Sequence, residues 1–238
     1  MHAEDAFDLR VEWGRDGARS LAEWADVLVV VDVLCFTTCV EVATSAGIEI
    51  VPYELRDDHA RALARRSRAE LGGPRGQARY SLSPESFVHG PAGTRVVLPS
   101  PNGAATTLAA RGRPVLAGCL RNAGAVARHA CGLGRRIAVV PAGERWPDGG
   151  LRPCLEDWLG AGAIIASLAG RPAPEALAAK AAFDIHHRRL ADALDACPSA
   201  RELKDRGFPQ DVEIAARLDV SECVPVFSGR SFAAAAPS

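Results

Sequence analysis

The feature that most constrains this chain is an unbroken apolar run over residues 27–31 that ends in an acid, Asp32. An apolar run without polar alternation predicts a strand covered on both faces, as in a parallel sheet with helices on each side. Ligands of such sheets bind just beyond the carboxyl ends of the strands. Because a carboxylate in that position needs a hydrogen-bonding or cationic partner, Asp32 is the first candidate for chemistry. An aspartate that caps a helix or closes a turn is the structural alternative.

Composition excludes several classes of protein. With 238 residues and 48% hydrophobic content, the chain can bury a full core and is not generally disordered. Its 28 basic and 29 acidic residues give a formal charge of −1, so nothing in the total suggests nucleic acid or an anionic membrane as a partner. We find no repeat and no clean domain boundary, and we expect one domain over residues 1–238. The sequence does not decide whether this domain divides into two intertwined subdomains or whether the chain forms a homodimer.

The expected location is the cytoplasm. No apolar stretch approaches the roughly 18 residues that a membrane span needs, and residues 1–5 lack the basic and apolar regions of a signal peptide. The seven cysteines form no C-x-x-C pair, which suits a reducing compartment. Cys35 and Cys39 would share one face of a helix, but their apolar neighbours favour packing over a thiol function.

Strand and helix patterns alternate along most of the chain, which predicts a three-layer α/β/α fold with a mostly parallel or mixed sheet. Strands are predicted at 27–31, 48–51, 95–98, 115–117, 136–140 and 224–227. Helices are predicted at 37–46, 57–71, 155–168 and from 103 and 122 onward, with a loop over 72–91 and a largely helical segment over 174–218.

Four of these strands end in polar or flexible residues, and the carboxyl ends of parallel strands share one rim, so we expect the four loops to converge. Helix N-termini suit phosphate, carboxylates suit Mg²⁺, and the two together suit phosphoester hydrolysis. Each loop also has a structural alternative, as a Pro-Asn-Gly turn, an asparagine cap or acids that complement a helix dipole. The loop residues concerned are Asp32, Thr37, Thr38, Asn102, Gly103, Arg121, Asn122, Glu144, Glu156 and Asp157.

Several sharper motifs are absent. The chain has no G-x-x-x-x-G-K-[ST] loop and no clean G-x-G-x-x-G after the first strand. A C-x5-R phosphatase loop would need an arginine six positions after Cys35, Cys119 or Cys154, and none is present there. An aspartate-nucleophile phosphatase of the D-x-D type would need an acid where this chain has Leu34.

Five blocks of the sequence resemble the 2-phosphosulfolactate phosphatases, and they occur in the same order as in that family. These enzymes are Mg²⁺-dependent hydrolases associated with coenzyme M biosynthesis. The blocks are V-V-V-D-V-L-C-F-T-T (29–38), S-P (83–84), V-V-L-P-S-P-N-G (96–103), A-G-C-L-R-N-A-G-A-V-A (117–127), and P-A-G-E (141–144) with L-E-D-W-L-G-A-G-A-I-I (155–165). The resemblance implies an α/β/α fold and hydrolysis of a phosphomonoester on a small, highly anionic hydroxy acid. The resemblance also implies a role in the active site for the loop residues named above, except Arg121, and for Ser83.

Two positions depart from the pattern of that family. The family usually has arginine after D-V-L, where this chain has Cys35, and Asn-Ser-Pro in the middle loop, where this chain has Leu82 before Ser83. A cysteine does not replace the bidentate anion donor that arginine provides. Arg121, Arg145 and Arg152 lie in or next to the proposed rim and are candidates for the compensating charge.

The predicted mechanism has Asp32, Glu144 and Asp157 as catalytic residues. Asp32 with one or more of Glu144, Glu156 and Asp157 would hold Mg²⁺. The phosphoryl group would be oriented by hydroxyl, amide and cationic donors of the loops. Either a metal-activated water or Asp32 itself attacks phosphorus. A protein of the same fold that binds a phosphorylated ligand without turnover is the alternative, and Cys35 is the feature that favours it. The predicted substrate-binding residues are Thr37, Thr38, Ser83, Asn102, Gly103, Arg121 and Asn122.

Overall fold

The computed structural model describes residues 6–110 and 112–236, so the expectation for residues 1–5 lies outside the described residues. The strands are β1 Leu9–Val11, β2 Val27–Val31, β3 Glu49–Tyr53, β4 Glu70–Leu71, β5 Arg95–Pro99, β6 Val115–Gly118, β7 Ile137–Pro141, β8 Glu144–Arg145, β9 Leu151–Arg152, β10 Pro225–Phe227 and β11 Phe232–Ala234. The helices are α1 Gly14–Trp24, α2 Phe36–Ser45, α3 Asp58–Arg66, α4 Gly103–Ala109, α5 Ala123–Leu133, α6 Leu155–Ala166, α7 Pro174–His186, α8 Leu190–Ala196, α9 Pro198–Asp205 and α10 Pro209–Ala215.

A nine-stranded mixed sheet runs through the described residues in the order β1-β7-β2-β6-β10-β11-β3-β5-β4. The first four strands are parallel to one another, and so are the last three. The β10–β11 hairpin joins the two sets through antiparallel pairs on both sides, so the second set runs opposite to the first when followed through the pairings. A separate short hairpin pairs β8 with β9.

The apolar run of β2 is covered on both faces, as its composition predicts. Leu28 and Val30 pack with the buried side of α1, including Leu21, and with the end of α4. The alternate residues of the strand face a larger cluster to which α2, α5 and α6 contribute. Because all five β2 residues are fully buried, the end of this strand is held firmly where it passes into Asp32.

Most predicted elements are present, and the differences have local causes. The helix predicted over 57–71 ends at Arg66, because Arg68 takes a left-handed φ of 52° and turns the chain into β4. The sequence analysis missed β1 and α1: β1 has three residues, and the buried face of α1 is largely small, with Gly17 and Ala18. Helices α7 to α10 fill the segment predicted to be largely helical.

One premise about the loops is wrong. The loops after β2, β6 and β7 follow strands of one parallel set, whereas the loop at residues 100–102 follows β5, which belongs to the oppositely directed set. Among the described residues, none of the helices has both the length and the apolarity required to cross a bilayer.

Candidate active site

The Asp32 carboxylate accepts hydrogen bonds from the first residues of two helices. Its Oδ1 accepts a hydrogen bond from the N–H of Phe36, at the start of α2, at 3.0 Å. Its Oδ2 accepts one from the N–H of Gly103, at the start of α4, at 2.9 Å. The unpaired amides of helix N-termini favour a negative charge, so the fold itself aims two such ends at this carboxylate. Asp32 is 6% exposed and borders a cavity.

The two threonines after Asp32 hold the turn that positions it. Thr37 Oγ1 donates to the carbonyl of Asp32 at 2.8 Å and accepts from its N–H at 2.9 Å. Thr38 Oγ1 donates to the carbonyl of Val33 at 2.8 Å. Both residues are fully buried. The Leu34–Cys35 peptide bond in this turn is cis. In the structure these hydroxyls are engaged by the loop's own backbone.

The loop after β5 reaches Asp32 although its strand belongs to the other set. A Cβ at Gly103 would lie 2.5 Å from Asp32 Oδ2, so only glycine permits this approach. The neighbouring Asn102 donates from Nδ2 to Glu144 Oε2 at 2.8 Å. Residues from the loops after β2, β5 and β7, three of the four loops predicted to converge, therefore meet at one place.

The two acids at the start of α6 have different surroundings. Asp157 Oδ1 accepts from the N–H of Val33 at 2.7 Å and Oδ2 from the N–H of Gly143 at 2.8 Å. It thereby ties the loop after β2 to the loop that carries Glu144. Glu156 is 2% exposed, and its Oε2 has no hydrogen-bond partner among the described residues.

Burial and mutual repulsion raise the pKa of these acids. Burial, followed by the charge of Glu144, raises the pKa of Asp32 to about 7. Burial, followed by the charges of Asp32 and Glu156, raises the pKa of Asp157 well above its ordinary value. Burial also raises the pKa of Glu144. Carboxylates that repel each other in a desolvated place favour a bound cation, because a cation offsets the charge that burial penalises.

The donor set fits a hard divalent cation held partly by solvent. The described residues contain no group of three His, Cys, Asp or Glu arranged to hold one ion. Mg²⁺ keeps several waters and commonly takes one or two carboxylates together with substrate phosphate. Asp32 and Glu144, which border the same cavity, meet that requirement.

The cavity, of about 150 Å³, is lined by residues of both charges. Its acids are Asp32, Glu144 and Glu202, and Asn102 lies beside Glu144. Arg75 and Arg206 contribute positive charge to the lining. A small substrate with more than one negative group suits such a cavity, since metal and guanidinium groups neutralise different parts of it.

Arg75 is fixed by a network of hydrogen bonds. Its Nε donates to Asp211 Oδ2 at 3.2 Å, and its Nη2 donates to the sulfur of Cys35 at 3.2 Å. Ser83 Oγ donates to the other oxygen of Asp211. The Asp211 side chain is fully buried and that of Arg75 is 13% exposed. Ser83, a predicted substrate-binding residue, thus contacts Asp211, which in turn holds Arg75.

Sequence reasoning missed Arg75, Asp211 and Arg206. Arg75 lies in the long loop over 72–91, where nothing local separates it from a solvated arginine. Asp211 lies far along the chain, in the segment predicted to be largely helical, where the pair Asp211-Val212 matches the family pattern only weakly. Cys35 is the residue through which the network contacts the turn after β2. A cationic group therefore stands beside the position where the family usually has arginine.

Two predicted site residues lie elsewhere, at the start of α5. Arg121 pairs with the buried Glu41 at 2.5 Å, and the Asn122 side chain contacts the backbone of Cys119 and Cys223. Neither residue borders the cavity. Their role in substrate binding stays a prediction.

The other arginines proposed to compensate for Cys35 lie on or next to the β8–β9 hairpin. Arg145 donates to the carbonyls of Pro101 and Gly149. Arg152 stacks over Trp146, and its charge acts on Glu144.

Comparison with known proteins gives one consistent result. The family model described as 2-phosphosulpholactate phosphatase matches residues 17–230. A "probable 2-phosphosulfolactate phosphatase" from Carboxydothermus hydrogenoformans is 32% identical over 207 residues, which cover 83% of this chain and 84% of the relative. A relative of the same name from Gloeobacter violaceus is 30% identical over 212 residues, covering 84% and 87%. A "2-phosphosulfolactate phosphatase" from Methanothermobacter thermautotrophicus is 35% identical over 113 residues, 47% of each chain.

Proposed function

Because this chain belongs to the 2-phosphosulfolactate phosphatase family, whose members are phosphoric monoester hydrolases, we propose that it removes phosphate from a small anionic hydroxy acid. The proposed substrate resembles 2-phosphosulfolactate, with sulfolactate and phosphate as products, and the proposed cofactor is Mg²⁺. A non-catalytic protein that binds such a ligand is the alternative outcome.

The observation that carries the proposal is the cavity beside Asp32. A buried carboxylate whose two oxygens are held by the first amides of α2 and α4 faces a space with a second carboxylate, Glu144, and a guanidinium, that of Arg75. Such fixed donors and charges act strongly on a substrate in a water-poor cavity, since they need no reorganisation as charge develops. Phosphoryl transfer depends almost entirely on positioning and charge stabilisation of this kind.

Different residues of the chain have different roles in binding. Asn102 orients Glu144 through its amide, and Asp157 fixes the loops that carry Asp32 and Glu144 relative to each other. Arg75, held by Asp211, would bind an anionic group of the substrate. Asp32 and Glu144 would hold Mg²⁺, which supplies Lewis-acid neutralisation of the phosphoryl oxygens when bound.

The nucleophile is either water or Asp32. Borohydride added during turnover distinguishes the two: it reduces an acyl phosphate on Asp32 to homoserine, whereas direct attack by water leaves Asp32 unchanged. The hydrogen bonds of both Asp32 oxygens leave each a free lone pair, so the geometry accommodates either route.

The decisive test is phosphate release from a panel of phosphorylated hydroxy acids with and without Mg²⁺. We expect release that requires Mg²⁺ and falls by at least about 10³-fold in Asp32→Asn, since a catalytic carboxylate would be lost. Asp26→Asn is a matched control, because Asp26 also accepts backbone hydrogen bonds but lies away from the cavity. Ligand binding without phosphate release in the wild type would instead establish the non-catalytic alternative.

A further inference from the structure

A second cavity, of about 280 Å³, adjoins the first one. The hydrogen-bonded pair of Asn102 and Glu144 borders both, so the two spaces lie on either side of these side chains. The second cavity opens against the start of α1 and the β8–β9 hairpin. None of the steps described above uses it.

The start of α1 presents uncapped amides to this cavity. The helix begins at Gly14 after Trp13, which makes no side-chain capping bond. The N–H of Gly17 donates to the carbonyl of Trp13, so the amides of residues 14–16 precede the first turn's bonds. Helix N-termini with free amides bind anions, and α1, with 11 residues, has a full dipole.

Two buried polar atoms at the same cavity also lack partners. Thr106 is 1% exposed and borders the cavity, and its Oγ1 has no hydrogen-bond partner among the described residues. Nε of Arg15, which borders the cavity from α1, is also buried and has no hydrogen-bond partner among the described residues, although Nη2 of the same side chain pairs with Glu54 at 2.9 Å. A buried hydroxyl or guanidinium N–H without a partner is costly. An oxyanion accepts from both, as well as from the free amides.

The lining carries charges of both signs. Arg15 and Arg145 are its cationic residues, and Asp16 and Glu144 are its acids. Asp16 is bonded to Arg19 at 2.9 Å and points largely to solvent, whereas Glu144 is bonded to the neutral amide of Asn102. The groups that favour an anion here are the two arginines and the positive end of α1, and Glu144 opposes them.

We propose that this cavity is a second oxyanion subsite, formed by the start of α1 with Arg15 and Thr106, that binds inorganic phosphate or a group of the same chemistry. The proposal rests on the proposed function for its biological source: the phosphate would be the one released in the adjoining cavity, or the oxyanion would be the second anionic group of the substrate. In both cases the shared chemistry is a tetrahedral oxyanion held by N–H and O–H donors.

Titration of the full-length protein with inorganic phosphate, followed by calorimetry, tests the subsite without relying on turnover. We expect two phosphates per wild-type chain, one of them weakened by about tenfold in Thr106→Val and in Arg15→Gln. Thr107→Val is the matched control, because the hydroxyl of Thr107 is equally buried but bonded within its own helix at 2.8 Å. Arg19→Gln is the control for Arg15→Gln. Binding in Thr106→Val and Arg15→Gln equal to wild type would overturn the proposal.

Kinetics then separate the two sources of the oxyanion. If the released phosphate binds there, Thr106→Val weakens product inhibition and leaves KM unchanged. If the substrate's second anionic group binds there, Thr106→Val raises KM for a doubly anionic substrate but not for phenyl phosphate. A chain without phosphatase activity would overturn the proposed function alone, since the phosphate titration would still decide the subsite.

Discussion

At the scale of single residues, Asp32 serves the fold and the site with the same two oxygens. It caps the starts of α2 and α4, which is the structural interpretation of an acid after a strand, and it also borders the cavity. The two interpretations are therefore compatible. A carboxylate held by backbone amides loses little freedom on binding a ligand, because its position is already fixed.

The raised pKa of Asp32 predicts a pH dependence of stability. With a folded-state pKa of about 7 against an ordinary 3.8, the folded protein keeps a proton that the unfolded chain has released between about pH 4 and pH 7. The free energy of unfolding should therefore fall as pH rises through this window. Glu144 and Asp157 contribute in the same direction. Urea denaturation without Mg²⁺ checks this, and a slope unchanged in Asp32→Asn would contradict it.

The same titration predicts how Mg²⁺ binding depends on pH. A cation at Asp32 competes with the proton, so its affinity should increase as pH rises toward about 7 and level off above it. Calorimetric titration with Mg²⁺ across this range measures the effect. Asp32→Asn should lose both the affinity and the pH dependence, whereas Asp26→Asn should keep them. Affinity independent of pH in the wild type would argue against Asp32 as a ligand.

Gly103 is the residue where the fold and the site tolerate no side chain. In Gly103→Ala the new Cβ would lie 2.5 Å from both Asp32 Oδ2 and Phe36 Cδ1, and Phe36 is fully buried. We expect a loss of about 1–3 kcal/mol in stability, together with most of the activity. Gly132→Ala in α5 is the control, because nothing lies within 4 Å of its added Cβ. That control should be neutral or stabilising by up to about 1 kcal/mol.

At the scale of elements, the site is built where helices begin and long-range bonds hold the loops between them. Asp157 of α6 bonds the backbone of two separate loops, and Asp211 of α10 holds Arg75 from the loop over 72–91. Each bond joins parts of the chain that are distant in sequence. The position of Arg75 at the cavity thus depends on the packing of α10 against that loop.

The Arg75–Asp211 pair predicts a non-additive effect on stability. Arg75→Gln alone leaves a fully buried carboxylate without its cation and should cost about 3 kcal/mol. Adding Asp211→Asn should recover at least about 1 kcal/mol of that loss, since the uncompensated charge is gone. Chemical denaturation of the two single variants and the double variant measures the coupling. Arg61→Gln, which breaks the exposed pair with Asp58, should change stability by less than about 0.5 kcal/mol.

Additive effects of Arg75→Gln and Asp211→Asn would contradict the coupling. Catalysis gives an independent readout, because the double variant should regain stability but not the affinity for an anionic substrate. Its KM should therefore stay as high as that of Arg75→Gln.

At the scale of the whole molecule, the β10–β11 hairpin joins two parallel sets of strands that run in opposite senses. Few backbone pairs connect the hairpin to the two sets: β11 pairs with β3 through Phe232 and Ile50, and β10 pairs with β6 through two residues. Packing of side chains adds further contacts between the hairpin and the sheet. The Phe232 ring lies 5.2 Å from that of Phe227 and 6.3 Å from that of Phe36.

The contacts of Phe232 in this hairpin predict that it contributes strongly to the stability of the whole protein. Phe232 is fully buried, and Phe232→Ala should cost about 3–5 kcal/mol. Because Phe36 borders the cavity beside Asp32, where we propose that the substrate binds, the variant should also lose activity. Guanidinium denaturation monitored by tryptophan fluorescence and circular dichroism measures the cost. Val220→Ala, at an exposed position, is the control and should stay within about 0.5 kcal/mol. A Phe232→Ala chain as stable as the wild type would show that the hairpin does not hold the two sets together.

The sequence alone determined the α/β class, the central strand β2 and the acid at its end, because the apolar run and its termination are local features of the chain. The sequence also indicated Asn102, Gly103 and Glu144 as candidate site residues, because the sequence blocks that contain them resemble those of one family. Only the tertiary structure decided that β5 belongs to an oppositely directed set and still delivers its loop to Asp32. Only the tertiary structure placed Arg75 beside Cys35, moved Arg121 and Asn122 away from the cavity, and left Thr106 unpartnered at a second one. Those outcomes depend on strand order and on bonds across more than 100 residues, such as that from Arg75 to Asp211, which no local pattern encodes.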